Sequence, residues 1–207
     1  MEWFNVLIQG SLLGGIYALF AIGLSMSFGI MRLVNIAHGD FIVLSAYIAL
    51  VVTEGTGLDP FSSLVIVVPA MFLLGYALQR GLLNFTLSGG LLPPLLVTFG
   101  LSVIIQNGLL QGFGAYDHRL QQGLIETASL RLPGGIHIGV YPLLVFAVAA
   151  FAIGSLQLLF YRTRLGRAFR AVSDDATTAE LMGIDNLKLY ALAFGIAMIF
   201  TAVAGVL

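Results

Sequence analysis

From Phe4 to Phe28 the chain carries no charged residue. A helix that crosses a bilayer needs about 20 apolar residues, and this run supplies them. Five more apolar runs follow, over residues 36–53, 61–79, 91–112, 140–161 and 189–207. Each is continuously apolar rather than alternating, so the runs read as helices and not as barrel strands. Charge falls between them, at Arg32, Glu54 with Asp59, Arg80, Asp117 with Arg119, and from Arg162 to Lys188. A charge at a helix centre costs about 2.5–3.5 kcal/mol on insertion scales, which accounts for the segregation. Trp3, Tyr116, Tyr141, Tyr161 and Tyr190 lie near run ends, where an interfacial aromatic belt belongs.

Composition removes the other classes. Charged residues are 9 % of the 207 and apolar residues 59 %. A soluble domain carries roughly 25 % charged residues to meet water, so lipid must cover much of this surface. The net charge of -1 points to no nucleic acid. Without cysteine there is no disulfide, thiol nucleophile or thiolate metal site. The first run is too long for a signal peptide, whose apolar region spans about 7–15 residues, and Glu2 stands where a basic region would be. The expected fold is all-α: one polytopic transmembrane helix bundle over residues 1–207, with the polar loop 162–188 between the fifth and sixth spans. Gly205-Val206-Leu207 still reads as helix interior, so the natural chain is expected to continue past this point.

Basic residues orient the bundle. If the loops alternate sides, Arg32, Arg80, Arg162, Arg164, Arg167, Arg170 and Lys188 share one side, and Arg119 and Arg131 the other. The positive-inside rule places the first set in the cytoplasm and the N-terminus outside. The longest outer loop, 113–138, contains Leu132-Pro133-Gly134-Gly135-Ile136, a turn signal that suits a small hairpin. It is a candidate landing surface for an outside protein, or only a connector.

Two polar stretches carry the functional signal. In the loop 162–188, Ser173 is placed to cap a short helix, and Asp174 and Asp175 suit the positive end of its dipole. Gly183 suits the left-handed turn that ends it. Ala176, Ala179 and Gly183 recur three to four apart, which leaves one small smooth face. Such a helix fits a groove on a partner; it equally fits an amphipathic connector on the membrane. In the second stretch, Asn35, His38, Gly39 and Asp40 sit at the expected cytoplasmic edge of the second span. A histidine and a carboxylate near lipid must be paired, hydrated or functional. A hydrogen-bonded helix junction, a gate, and a loop reaching water all remain open.

Within the spans, Thr98, Gln106 and Asn107 are candidates for lining a pathway or for interhelical hydrogen bonds. Gly10, Gly14, Gly15, Gly100 and Gly108 suit close helix contact. Ser25 or Ser102 with His38 as base would make a membrane serine protease, but such serines are common in apolar sequence.

The stretch Gly166-Arg-Ala-Phe-Arg170-Ala-Val-Ser-Asp174-Asp175-Ala176-Thr-Thr-Ala179-Glu180-Leu-Met-Gly183-Ile-Asp185 resembles the cytoplasmic coupling loop of branched-chain amino-acid ABC permeases. Phe28-Gly-Ile-Met-Arg-Leu-Val-Asn35-Ile-Ala-His38-Gly39-Asp40-Phe41, with Ser45-Ala46-Tyr47, resembles a second segment of that family. Ser45 departs from it, since glycine is common there. The resemblance runs along nearly the whole chain. It implies a type II-like ABC importer permease in a bacterial inner membrane, which is no enzyme and holds no cofactor or metal. It implies two ABC ATPase subunits, a homologous permease subunit and an extracytoplasmic substrate-binding protein as partners. It implies that Arg170, Asp174, Asp175, Ala176, Ala179, Glu180 and Gly183 form the ATPase-coupling loop. Lys188 is the only lysine and no phosphate-binding glycine loop precedes it, so ATP belongs on another chain. A stand-alone secondary transporter or channel for small polar solutes is the alternative.

Overall fold

The computed structural model describes residues 2–116, 118–120, 128–132 and 136–207. Eight α-helices follow one another: α1 (Glu2–Met31), α2 (His38–Thr56), α3 (Pro60–Gly81), α4 (Leu92–Phe113), α5 (Val140–Arg162), α6 (Arg164–Asp174), α7 (Ala176–Leu181) and α8 (Asn186–Val206). Two 3₁₀ turns, Leu83–Phe85 and Leu87–Gly89, join α3 to α4. Six helices, α1 to α5 and α8, are long and apolar enough to cross a membrane.

One addition to the all-α expectation is a two-stranded antiparallel hairpin of β1 (Ser129–Leu132) and β2 (Ile136–Gly139), with Leu132 opposite Ile136. The turn expected at 133–135 lies outside the described residues, as does Asp117. The loop 162–188 is more structured than one short helix, since α6 and α7 both fall within it.

The bundle is organised around its last helix. In α8, 67 % of the apolar stretch is buried inside the chain, against 17–28 % in the other five. It packs against α1, α2 and α3, while α5 packs on α1, and α4 mainly on α2. Small residues permit this. Ala191, Ala193, Ala197, Ala202 and Ala204 are all buried on α8. A Cβ on Gly205 would collide with the Ser45 hydroxyl and the Ile42 carbonyl of α2. Lipid is as apolar as leucine, so close backbone approach and not hydrophobicity selects the central helix.

The glycines expected at close contacts are mostly elsewhere. Gly10, Gly14, Gly100 and Gly108 have open space at the Cβ position, and only Gly15 meets a neighbour, Phe146. The tight positions are instead Gly23, Gly75, Gly195 and Gly205.

Candidate functional site: a polar junction at the helix centres and a capped polar arm

α1 ends where Arg32 adopts φ +53°. For a residue with a side chain this left-handed backbone costs roughly 1–2 kcal/mol. It turns the chain back into the bundle. Residues 32–35 have no regular secondary structure and a turn follows at 36–37, so α2 starts two residues later than the expected span. Leu33, Asn35 and Ala37 are buried, while Val34 and Ile36 between them are exposed. That alternation is the two-residue period of an extended chain. Irregular backbone at membrane depth must find partners in protein. Here the Ile36 N–H donates to the Thr98 hydroxyl at 3.3 Å, and that hydroxyl donates to the Leu95 carbonyl at 3.0 Å.

His38 and Asp40 open α2, at the edge of the second span as expected, and the fold-back sets that edge beside α1 and α4. His38 Nε2 donates to the Phe20 carbonyl at 2.9 Å. The Gln106 amide donates to the Asp40 carboxylate at 2.9 Å, and its nitrogen lies 3.1 Å from the Ser102 hydroxyl. At ~1.5 Å of rise per residue, Phe20 and Gln106 each lie within about 6 Å of the middle of α1 and α4. The pair therefore lies level with the middle of two helices that are long and apolar enough to cross a membrane.

Of the residues expected here, Asn35, His38, Asp40, Thr98 and Gln106 are brought to one junction between α1, α2 and α4. Gly39 beside them is exposed, with open space at its Cβ position. Asn107 is not part of it; its amide bonds back to Val103 on its own helix. Asn35 is 3 % exposed and neither amide atom has a partner among the described residues. Ser102 is a member that the sequence reading had weighed only as a nucleophile. Its spacing from Thr98 and Gln106, one helical turn either way, was the available signal. His38 is engaged with a backbone carbonyl of α1.

The second site is the arm formed by α6 and α7. Thr163 caps α6, its hydroxyl accepting from the Gly166 N–H at 3.0 Å. α6 is strongly amphipathic and buries Gly166, Phe169 and Val172. Ser173 does not cap the next helix, as expected from sequence; it ends inside α6, and its hydroxyl donates to the Gly29 carbonyl of α1 at 2.6 Å. Asp175 takes the role instead, accepting from the N–H groups of Thr177 at 3.0 Å and Thr178 at 3.1 Å. The Thr178 hydroxyl, then the backbone N–H groups, hold the exposed Asp175 carboxyl below its ordinary 3.8. Gly183 adopts φ +84°, the left-handed turn expected of it.

The faces of α7 differ from the expected smooth surface. Ala179 is 4 % exposed and packs inward, and Ala176 is half-buried. Glu180 and Gly183 are exposed, as are Arg170, Asp174 and Asp175. Arg170 stacks its guanidinium 5.3 Å over the Tyr161 ring. The residues missed are Leu181 and Met182, 83 % and 79 % exposed. Adjacent apolar residues in an otherwise polar segment were their signal.

Residues 6–207 match the model of a family described as the permease component of a branched-chain amino acid transport system. Among curated proteins, the chain is 32 % identical over 228 residues to the high-affinity branched-chain amino acid transport system permease protein BraD of Pseudomonas aeruginosa, covering 100 % of this chain and 70 % of that one. It is 28 % identical over 219 residues to the LivH permease protein of Escherichia coli K12, covering 97 % and 68 %. A probable LivH permease protein of Methanocaldococcus jannaschii is 26 % identical over 215 residues, covering 97 % and 65 %. No solved structure matches. With six helices fit to cross a membrane and a family match over nearly its whole length, the chain is a multi-pass membrane protein that belongs to the permease components of branched-chain amino acid transport systems.

Proposed function

We propose that this chain is the membrane-spanning subunit of an ATP-driven importer in a bacterial inner membrane, and that it moves branched-chain or related amino acids. An extracytoplasmic binding protein delivers the substrate. A homologous permease subunit completes the pathway, and two ATPase subunits on the cytoplasmic side supply the force. Residues 1–207 act as one membrane domain, and the loop 162–188 is its coupling segment.

The observation that carries this reading is the exposed pair Leu181 and Met182 at the end of α7. A helix capped at both ends by Asp175 and Gly183 holds them rigidly on the basic, cytoplasmic side. Burying a leucine or methionine side chain is worth about 1.5–3 kcal/mol, so leaving two in water is costly unless another chain covers them. Glu180 adjoins Leu181, and Asp174 and Asp175 line one hollow with Met182, so the apolar contact has a charged rim, as a docking surface does. Because α6 is pinned to α1 through Ser173 and Gly29, a push on α7 reaches the transmembrane bundle.

The test is co-purification. Leu181→Asp in the intact transporter is expected to reduce the recovered ATPase subunit by at least about tenfold, a loss of about 1.4 kcal/mol, and to abolish ATP-driven uptake of L-leucine. Full recovery of the ATPase with that substitution overturns the assignment.

A stand-alone secondary transporter is the second reading, and Asp40 near the membrane centre is what favours it, since such carriers bind solute and ion at the midplane. Uptake that persists in vesicles without ATP, driven by an ion gradient, selects that reading.

A further inference from the structure

Among the described residues, no Lys or Arg lies in the interior of the six long apolar helices. Arg32 follows α1, Arg80 closes α3, Arg162 closes α5, and Lys188 opens α8. Asp40 is the exception among the charges, since it joins α4 through Gln106 near that helix's centre. The one ion pair among the described residues is Lys188 with Asp185, so Asp40 has no cation there. Two features of the fold suit a carboxylate at this point. Asp40 lies in the first turn of α2, at the positive end of the helix dipole, and Gln106 donates to it. Neither supplies a neutralising charge.

The place is also open. Asp40 is half-buried, Gln106 is exposed, and Gly39 next to them is exposed with no atom within 4 Å of its Cβ position. A charge that faces acyl chains without a partner is expensive, and intramembrane carboxylates turn to a pathway or a counter-charge. A second copy of this chain would bring no lysine or arginine to that depth, for the reason given above. The missing positive charge must then arrive from outside the protein.

We infer that Asp40, positioned by Gln106 and Ser102, receives the α-ammonium group of an amino-acid substrate as it passes the membrane centre. This rests on the proposed importer and adds to it a substrate contact within the permease. The ammonium docks on the carboxylate oxygen that Gln106 leaves free, and the space beside Gly39 accommodates the rest of the zwitterion. Selectivity at this point is for the ammonium group and not for the side chain. Asp40→Asn keeps an acceptor for Gln106 but removes the charge, so a purely structural hydrogen bond survives the change.

The experiment is equilibrium binding of tritiated L-leucine to the intact transporter in nanodiscs, without ATP and without the binding protein. L-leucine amide, which keeps the ammonium, is expected to compete; 4-methylpentanoate, which keeps the carboxylate and side chain but has no ammonium, is not. Asp40→Asn weakens binding at least tenfold in a complex that still assembles, and Asp40→Glu restores it to within threefold. Binding unchanged in Asp40→Asn, no binding by the wild type, or equal competition by both analogues overturns the inference. Loss of the paired permease subunit from Asp40→Asn overturns it too, because the counter-charge is then the partner's. ATP-driven uptake by the wild type is measured separately, so failure of the importer reading is seen independently of this result.

Discussion

α8 and α5 are nearly equal in hydropathy, 2.2 and 2.4, yet 67 % of one and 17 % of the other is buried. In water such a difference would follow from apolar content. In a bilayer it cannot, because the tails offer apolar contact everywhere. What separates the two is the number of neighbours, since α8 is enclosed by α1, α2 and α3 while α5 has one long helix against it. α8 presents alanines and glycines to α1, α2 and α3, and backbones close on one another. α5 buries only Val145, Ala149 and Ala152, along its seam with α1, and leaves Phe151 and Leu158 outward. The arm that continues from α5 is held in a third way. α6 and α7 each begin at a side-chain cap, whereas none of α2 to α5 has one. The arm and the start of α8, which is capped by Asp185, are fixed by local hydrogen bonds, and the starts of α2 to α5 by packing.

The largest effect is expected where packing is tightest. Gly205→Val places a side chain onto the Ser45 hydroxyl and the Ile42 carbonyl, and a backbone oxygen cannot step aside cheaply. Overpacking costs about 1–3 kcal/mol, and this site belongs at the upper end. Gly154→Val on α5 meets nothing within 4 Å and is expected to change stability by less than about 0.5 kcal/mol. Thermal unfolding in detergent, followed by loss of the monodisperse peak, measures both. Equal shifts would mean that α8 is no more central than α5.

The elbow between α5 and α6 comes next. A Cβ at Gly166 would overlap the backbones of Leu159 and Phe160, so the two helices meet only because that residue has no side chain. Gly166→Ala is expected to open the elbow at a cost of about 1–2 kcal/mol. The arm should detach while the bundle stays folded. A spin-label pair on α1 and α6 that lengthens in the variant, with an unchanged unfolding temperature, is the expected outcome. A lower unfolding temperature with an unchanged distance would show that the elbow supports the bundle instead.

These contrasts also explain what the sequence did and did not make legible. The six long helices were visible because Arg32, Glu54, Arg80, Arg162 and their neighbours interrupt the apolar runs. The rank of α8 was not, since hydropathy is blind to which apolar helix is wrapped by the others. The extended segment before α2 was hidden because Ile36 and Ala37 look like the start of a span. Its two-residue alternation, from Leu33 to Ala37, is too short to stand out. His38 and Asp40 do open the second span, as the sequence suggests; what it hid is that this end of α2 lies beside Phe20 in the middle of α1. The cap of α7 was misplaced for a different reason. Ser173, Asp174 and Asp175 are all good N-caps, and only the packing of Phe169 and Val172 decides that α6 runs on past Ser173.

The smallest effect separates packing from capping by pH. Asp175 accepts from Thr177 and Thr178, and these donors lower its pKa in the folded arm. A group whose folded value is depressed contributes stability above its unfolded value and loses it as pH falls through the folded one. The cap should therefore be constant from neutral pH down to just above 3.8, then weaken as the pH drops further. Hydrogen exchange at the Thr177 and Thr178 amides, corrected for the intrinsic rate, reads this directly. Asp175→Asn keeps a capping oxygen without a titrating proton, so its protection should stay flat across the same range. Asp175→Ala should lack protection at every pH. The Asp185 carboxyl is also held below its ordinary range, by the Lys188 side chain and then the Lys188 N–H, so the first amides of α8 should follow α7. The deeper turns of α8, from Ala191 to Ala204, are enclosed by three helices and have no acid to titrate. Their exchange should not respond to pH beyond the intrinsic rate. If they loosen together with α7, the arm and the core are one cooperative unit, and the division between packed and capped helices fails.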